Sequence, residues 1–250
     1  MGKNKIEWTE KTWNPITGCT KYSAGCVNCY AETMSRRLQA MGLEKYKNGF
    51  KPTLHEKELE LPKRWGKAQM VFVCSMSDLF HKDVPFEFID KVMEVITTTP
   101  QHTYQILTKR AERMAEYFAT REIPKNVWLG VTVEDQTSKN RIDILRTLPA
   151  SIRFLSCEPL LEGLGSLDLH NINWVIVGGE SGPSARPMNK DWVLEIRDEC
   201  EAQNVFFFFK QWGTWGADGV KRNKKANGCK LQGKEYKETP RLFYDIFFIK

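Results

Sequence analysis

The sequence lacks any long apolar segment. No run in its 250 residues approaches the roughly 18 apolar residues of a membrane-spanning helix, so no membrane-embedded segment is expected. The start, MGKNKIEWTEK, is charged and has no apolar stretch, so we expect no secretory signal peptide. Seven cysteines without such a signal favour a reducing cytoplasm, where thiols serve as ligands or core residues.

The sequence also lacks a strong excess of charge of either sign. Its net charge of +6 permits an anionic partner without requiring one. The apolar and charged fractions, 41% and 27%, are ordinary for a globular protein and give no indication of disorder. Eight tryptophans and fourteen phenylalanines indicate a substantial core, enough for one large α/β domain or two smaller ones.

Three of the cysteines are closely spaced in a segment that reads as a loop. TWNPITGCTKYSAGCVNCYAETM (12–34) places Cys19, Cys26 and Cys29 in a C-x6-C-x2-C array among loop-forming glycines and a proline. Three thiolates leave a metal centre with one open position, which an iron–sulfur cluster can keep for a further ligand. A structural zinc site, in contrast, normally closes all four of its positions.

The same residues are also compatible with zinc. Cys26-x2-Cys29 has the spacing of a zinc knuckle, with Cys19 as third ligand and His55, His81 or another cysteine as fourth. Cluster, zinc and three unconnected thiols therefore stay open as alternatives from the residues alone. We expect the remaining cysteines to be buried or incidental: Cys74, Cys157, Cys200 and Cys229.

Six short apolar runs follow the loop and are predicted to be strands. They are MVFVC (70–74), TYQIL (103–107), NVWLGVTV (126–133), IRFLSC (152–157), NWVIV (173–177) and VFFFF (205–209). Helices are predicted after Tyr30, at 85–99, after Arg110, at 138–148 and at 191–203, the last capped by Asp191. With a first strand near Ile6–Trp8, this pattern predicts an α/β fold, a partial or full TIM-like (βα) barrel of six to seven parallel strands. A doubly wound open sheet is the competing architecture.

Each of the six runs ends in a cluster of polar residues. The clusters are Ser75/Ser77/Asp78, Thr108/Lys109/Arg110, Glu134/Asp135, Ser156/Glu158, Gly178/Gly179/Glu180/Ser181 and Lys210/Gln211. Any one of them is typical of a solvated turn. Because the loops after parallel strands form the active-site rim of such folds, six in series predict a site, onto which the cysteine loop would open.

Seven motifs resemble those of a known family. GCTKYSAGCVNCYAE, SMSDLFH, LTKR, GVTVED, SCEPLL, VGGESG-x3-RPM and FFKQWG are similar, in this order, to motifs of a phage-associated "three-Cys-motif" family. Its members look like atypical radical S-adenosylmethionine (SAM) enzymes. The resemblance runs from about Ile6 to Pro240 and implies a radical-SAM-like barrel. It implies a [4Fe–4S] cluster on Cys19, Cys26 and Cys29, with SAM chelating the fourth iron through its amino and carboxylate groups.

The sequence departs from the usual radical SAM pattern in two places. The first cysteine gap is three residues longer than in C-x3-C-x2-C, and SMSD replaces the Gly-Gly-Glu after the second strand. The candidate acceptors for the SAM amino group are Ser75, Ser77 and Asp78. The candidate cations for its carboxylate are Lys109 and Arg110. The remaining candidate cofactor contacts are Glu134 and Glu158, for the ribose hydroxyls, and Gly178, Gly179 and Glu180.

The resemblance implies an enzyme that cleaves SAM reductively to a 5′-deoxyadenosyl radical. The expected partners are an external electron donor and, as a further candidate, a partner protein. The phage setting suggests modification or repair of nucleic acid or a nucleotide. Basic and aromatic residues near the last two strands are the substrate-binding candidates: Arg186, Lys190, Lys210 and Trp212. The predicted domains are 1–213, the barrel with its cysteine loop at 19–29, and 214–250, a basic extension. The alternative is a non-catalytic nucleic-acid-binding protein with a structural zinc or Fe–S site, and no catalytic residue is singled out.

Overall fold

The computed structural model describes residues 6–240, and the chain divides into two compact units. The first unit is Met1–Val131 with Thr147–Ser151, and the second is Thr132–Arg146 with Ile152–Lys250. The predicted domain boundary after residue 213 stays a prediction, and the last ten residues of the predicted extension lie outside the described part of the chain.

The first unit is built on four parallel strands. Its strands are β1 (Lys11–Trp13), β2 (Ile16–Thr17), β3 (Thr53–Leu54), β4 (Met70–Val73), β5 (Thr103–Thr108) and β6 (Val127–Thr132). Strands β1, β4, β5 and β6 pair in that order: Val71 lies opposite Lys11 and Tyr104, and Tyr104 lies opposite Val127. Strands β2 and β3 form a separate antiparallel pair. Consecutive parallel strands are therefore neighbours, and their carboxyl ends lie at one edge.

Helices cover this sheet because each has one apolar face. The helices are α1 (Tyr30–Ala40), α2 (Phe86–Thr98) and α3 (Ala111–Phe118), with 3-10 turns at Ala24–Cys26, Glu44–Tyr46, Glu56–Glu60 and Pro62–Arg64. The predicted stripe of α2 is buried, with Ile89, Val92 and Ile96 fully so. Burying each such side chain contributes about 1.5–3 kcal/mol. Every residue of β4 and β6 is buried as well, as expected of parallel strands covered on both faces.

The second unit repeats the pattern with three parallel strands. Its strands are β7 (Ile152–Cys157), β8 (Trp174–Gly178), β9 (Phe206–Gln211), β10 (Lys230–Leu231) and β11 (Lys234–Glu235), and its helices are α4 (Asn140–Arg146), α5 (Lys190–Ala202) and α6 (Lys224–Asn227), with a 3-10 turn at Gln136–Ser138. Val175 of β8 lies opposite Leu155 of β7 and Phe207 of β9, all parallel. Strands β10 and β11 form an antiparallel hairpin.

The predicted fold class, α/β with six to seven parallel strands, is confirmed: the described residues contain four parallel strands in the first unit and three in the second. Two local predictions were wrong. The first strand is Lys11–Trp13, and not Ile6–Trp8, because pairing with β4 rather than local apolar character defines it. The cap of α5 is Asn189, whose side chain accepts from the N–H of Asp191 at 2.9 Å. No helix within residues 6–240 has the length and apolar character needed to cross a membrane.

Candidate functional site

The cysteine loop joins β2 to α1 in the first unit. Cys19, Cys26 and Cys29 are all partly exposed, whereas Cys74 is buried. Cys29 is the N-cap residue of α1, and the main-chain N–H groups of Ala31 and Glu32 lower the pKa of its thiol, although burial raises that pKa by more. A helix N-terminus stabilises negative charge, so this position suits a thiolate.

Cys26 acts electrostatically on both Cys19 and Cys29. Burial raises the pKa of Cys19 to about 11, with Asp78 and Cys26 adding to the rise and Arg110 opposing it. Burial also raises the pKa of Cys29, and again Cys26 contributes. Without a cation Cys19 and Cys29 therefore hold their protons near pH 7, and a metal that binds these two thiols must displace those protons.

The loop is fixed to its surroundings on the side of Cys19. The N–H of Gly18 donates to Met76 O at 2.9 Å, and the N–H of Cys19 donates to Phe50 O at 3.0 Å. Gly18 has a φ of +83°, and a Cβ there would lie 2.2 Å from Lys51 O, so only glycine fits. The first thiol is thus held by main-chain contacts to two distant segments.

The serines of the SMSD segment shape the end of β4. Ser75 Oγ donates to Asn14 Oδ1 at 3.2 Å, and Asn14 Oδ1 also accepts from the N–H of Met76 at 3.0 Å. Ser77 Oγ donates to Gly18 O at 2.6 Å, and Tyr30, the first residue of α1, donates its hydroxyl to Ser75 O. Both predicted serines therefore lie beside the cysteine loop. Asn14 was missed, although a polar residue straight after β1 was a signal for it.

The carboxylate of Asp78 is occupied by four donors. They are Thr108 Oγ1 at 2.7 Å, Arg110 Nη1 at 2.8 Å, Phe80 N at 2.9 Å and Lys109 N at 3.3 Å. Asp78 is 6% exposed. Its oxygens are therefore used to join the ends of β4 and β5, which leaves little room for the predicted SAM ammonium.

Arg110 reaches from the end of β5 to the cysteine loop. Besides Asp78, its guanidinium lies 3.7 Å from Cys19 Sγ through Nη1 and 3.2 Å from Thr20 O through Nη2. The sequence suggested Arg110 as a partner for the SAM carboxylate. In the structure these contacts engage it within the protein. The predicted Lys109 is next to it and partly buried.

Two histidines considered as a fourth zinc ligand are already engaged. His81 is fully buried; its Nε2 lies 2.8 Å from Thr20 Oγ1, and its Nδ1 accepts from the N–H of Asp83 at 3.1 Å. Burial lowers the pKa of His81, so the ring is neutral near pH 7. His55 Nε2 lies 2.7 Å from Thr17 Oγ1. Nε2 of each ring is therefore hydrogen-bonded to a threonine.

The donor chemistry fits an iron–sulfur cluster with one open position. Within residues 6–240, no group of three or more His, Cys, Asp or Glu side chains is arranged as a ready metal site. The three loop cysteines nevertheless offer three sulfur donors in one short segment, and Nε2 of His55 and Nε2 of His81 are each hydrogen-bonded to a threonine. Binding therefore requires the thiols to converge and lose their protons.

In the second unit, the predicted rim residues form carboxylate–cation pairs. Glu134 and Arg141 pair at 2.8 Å with side chains 0% and 8% exposed. The other two pairs are Glu158–Lys210 at 3.0 Å and Glu180–Arg186 at 2.6 Å. Arg141 was missed by the sequence reasoning. The predicted cations Lys210 and Arg186 are thus neutralised by carboxylates.

The glycines after β8 allow close packing of neighbouring groups. A Cβ on Gly178 would lie 2.3 Å from Glu158 Oε1, and one on Gly179 would lie 2.0 Å from Trp212 O. Trp212 is 2% exposed and donates its indole N–H to Lys230 O, so its ring offers no face on which a base could stack. Lys190, in contrast, is exposed at the start of α5. Of the predicted substrate contacts, only Lys190 is both exposed and outside these ion pairs.

The basic segment 219–230 lies on the surface of the second unit. Lys221 donates to Pro183 O, and Arg222 pairs with Asp218 at 2.6 Å. Lys224 and Lys225 are exposed in the first turn of α6. Lys230, the last residue of the segment, is exposed as well.

The sequence was also compared with known proteins. No curated protein matches it. Solved structures of spore photoproduct lyase are similar in fold: a cysteine-to-serine mutant has a TM-score of 0.49 and 13% identity, over 99% of this chain and 76% of that one. A mutant with bound AdoMet and dinucleoside spore photoproduct has a TM-score of 0.46 and 12% identity, over 95% and 74%. The model of one protein family, described as "Protein of unknown function (DUF5131)", matches residues 3–240. Because that match spans nearly the whole sequence, the chain belongs to the DUF5131 family.

Proposed function

We propose that this protein is a radical-SAM-type iron–sulfur enzyme. The observation that carries the proposal is the set of three partly exposed thiols, Cys19, Cys26 and Cys29, in one loop beside the polar ends of β4 and β5. Three thiolates would hold a [4Fe–4S] cluster and leave its fourth iron for SAM. When bound, these cofactors supply a 5′-deoxyadenosyl radical by one-electron reductive cleavage of SAM.

The serines of the SMSD segment are the proposed acceptors for the SAM ammonium. Ser75 and Ser77 each donate their hydroxyl proton to the protein, to Asn14 Oδ1 and Gly18 O respectively. A hydroxyl oxygen has two lone pairs, so each serine can still accept from an ammonium. Asp78, whose oxygens already receive four donors, has the role of fixing Arg110. Lys109 keeps its proposed role as the cation for the SAM carboxylate.

The candidates of the second unit remain proposed cofactor contacts. Glu158 is the most accessible of the three paired carboxylates, with a side chain 15% exposed against 0% for Glu134 and 5% for Glu180. It is therefore the first choice for a hydrogen bond to a ribose hydroxyl. Gly178 and Gly179 serve by leaving room for the groups that pack on them.

The proposed substrate is nucleic acid or a nucleotide. The exposed Lys190, Lys224 and Lys225 supply positive charge that phosphates can approach. Arg186 and Lys210 are paired with carboxylates, so each would have to leave its carboxylate before it could bind a phosphate of the substrate. The chemistry also needs an external one-electron donor. A reducing cytoplasm suits these free thiols, and a partner protein stays open.

Anaerobic reconstitution with iron and sulfide, followed by SAM and dithionite, tests the proposal. We expect about four irons and four sulfides per chain, an EPR spectrum of the reduced protein that changes when SAM is added, and release of 5′-deoxyadenosine. Cys26→Ala is expected to abolish all three signals, whereas Cys229→Ala, a change at a partly exposed cysteine outside the loop, leaves them intact.

Two results would overturn the proposal in different ways. A colourless protein that contains zinc and takes up no iron during reconstitution would identify the loop as a structural zinc site. A protein that assembles the cluster but neither responds to SAM nor releases 5′-deoxyadenosine would assign it a structural iron–sulfur site.

A further inference from the structure

The guanidinium of Arg110 is held rigidly. Nη1 donates to Asp78 Oδ2 at 2.8 Å, and Nη2 donates to Thr20 O at 3.2 Å and to Thr20 Oγ1 at 3.3 Å. The guanidinium also lies over the ring of Tyr22, 4.9 Å from its centroid. With its side chain 8% exposed, Arg110 has a fixed position rather than a choice of rotamers.

The main chain of Arg110 is also held in place by hydrogen bonds. Arg110 precedes the first turn of α3, and its N–H donates to Thr108 Oγ1 at 2.9 Å. The same Thr108 hydroxyl donates to Asp78 at 2.7 Å, so the backbone of Arg110 and its carboxylate partner are fixed together. The arginine is thereby oriented towards the loop before any ligand binds.

One hydrogen of Nη1 is left for the first cysteine of the loop. Nη1 carries two hydrogens, and it lies 2.8 Å from Asp78 Oδ2 and 3.7 Å from Cys19 Sγ. An N–H aimed at a ligand sulfur is one of the ways in which a protein sets the reduction potential of an iron–sulfur cluster. Thr20 holds the other nitrogen, so the guanidinium cannot swing away from the sulfur.

We propose that Arg110 and Asp78 act together as a positioning pair that sets the reduction potential of the metal centre on the cysteine loop. This inference rests on the proposed function. One electron from an external reductant such as dithionite converts [4Fe–4S]²⁺ to [4Fe–4S]⁺, and no bond breaks. The reduced centre carries one more negative charge, so the Arg110 donor favours it and the Asp78 carboxylate disfavours it.

The pair therefore predicts shifts of opposite sign. Arg110→Gln removes the cation and leaves Asp78 facing the sulfur, so we expect about tenfold less reduced cluster at a given potential, which is ~59 mV for one electron. Asp78→Asn removes the opposing charge and is expected to shift the equilibrium towards the reduced cluster. Arg110→Lys keeps the charge and is expected to restore part of the potential that Arg110→Gln loses. A purely structural role would change cluster occupancy, but would not give opposite shifts.

The measurement is an EPR-monitored redox titration of the reconstituted protein, with iron and sulfide analysis beside it. Arg113→Gln is the matched control: it removes the same charge from α3, but Arg113 lies over the ring of Phe86 and donates to Val84 O, away from the loop contacts. We expect its midpoint potential to match that of the parent.

Equal shifts in Arg110→Gln and Arg113→Gln, or shifts of the same sign in Arg110→Gln and Asp78→Asn, would overturn the inference and leave the proposed function standing. If Arg110→Gln fails to retain a cluster, Asp78→Asn decides: a potential at or below that of the parent overturns the inference. A parent protein that binds zinc and no cluster overturns both the inference and the proposed function.

Discussion

The carboxylate of Asp78 and the guanidinium of Arg110 form a hydrogen-bonded ion pair of 2.8 Å, with side chains 9% and 8% exposed. The pair joins the ends of β4 and β5 and reaches the cysteine loop through Thr20. Removing one partner of a buried pair leaves the other charge without compensation, which is more costly than the pair is stabilising.

Asp78→Ala is accordingly expected to lower the free energy of unfolding by about 3 kcal/mol, because Arg110 keeps its burial and loses its carboxylate. Urea denaturation of the protein without metal measures this directly. Asp83→Ala is the control, since Asp83 has a side chain 58% exposed, and should stay within about 0.5 kcal/mol of the parent. Equal stabilities of the two variants would show that Asp78 has no such role.

Each of Cys19, Cys26 and Cys29 is expected to be necessary for the cluster, because three thiolates are the fewest that hold it with one iron open. Iron and sulfide contents of the three single Cys→Ala variants should fall to background after anaerobic reconstitution. Cys229→Ala should retain the content of the parent, as a partly exposed thiol outside the loop. Full retention in any loop variant would remove that cysteine from the ligand set.

Nucleic-acid binding is expected to depend on Lys224 and Lys225, whose side chains are exposed in the first turn of α6. Each phosphate contact releases condensed counterions, so the double change to Gln should reduce the slope of log K against log salt by about two units. Titration of labelled single-stranded and double-stranded DNA and RNA at several salt concentrations gives this slope.

Lys125→Gln is the matched control for the two lysines, since Lys125 is exposed but precedes β6, at the amino end of the strand. An unchanged slope in the double variant would exclude α6 from the binding surface. No binding at low salt would direct the search to free nucleotides.

The stability of the first unit should contain an acid-sensitive contribution from Asp90. The hydrogen bond from Arg121 lowers the pKa of Asp90, and Tyr117 adds to the effect. A lowered carboxyl pKa stabilises the fold above the ordinary pKa of about 4 and loses this effect as the pH falls through the folded value. Asp90→Asn should therefore cost about 1 kcal/mol at pH 7, and the difference from the parent should shrink below about pH 4.

Urea denaturation at several pH values from about 3 to about 7, below and above the ordinary carboxyl pKa of about 4, tests this contribution of Asp90. Glu94→Gln, at an exposed position of the same helix, should show no such dependence. A constant difference between Asp90→Asn and the parent across the range would contradict the assignment.

The six strands β4 to β9 could be predicted from the sequence to within two residues, whereas the short hairpin strands β10 and β11 were missed. Continuous apolar runs identify strands that are buried on both faces, and 152–157 matches β7 at both ends. The three-residue β1 has no such signal, since only Trp13 of its residues is buried. Its formation depends on hydrogen bonds to β4, nearly sixty residues away in the sequence, and a local pattern cannot show them.

The candidate site, too, could be predicted from the sequence only in part. The cysteine spacing and the polar strand ends were visible as residue types in fixed positions. The sequence did not show whether a charged group is free or paired, because Asp78 contacts Arg110 only when two strands lie side by side. The same holds for Trp212, which reads as a stacking residue in the sequence but has its ring buried. Contacts between distant segments thus decide which polar residues remain available to a ligand.

The segment between α1 and β4 sets a limit on insertions and deletions. Surface loops usually tolerate changes of length. Here the carbonyl oxygens of Phe50 and Lys51 lie directly against Cys19 and Gly18, so a deletion that moves residues 50–51 also moves Cys19, the first of the three proposed metal ligands. Gly42 is different: it is exposed, and nothing lies within 4 Å of a Cβ placed on it. An insertion at the start of this segment therefore leaves the cysteine loop in place, whereas the middle of the segment must keep its register with that loop.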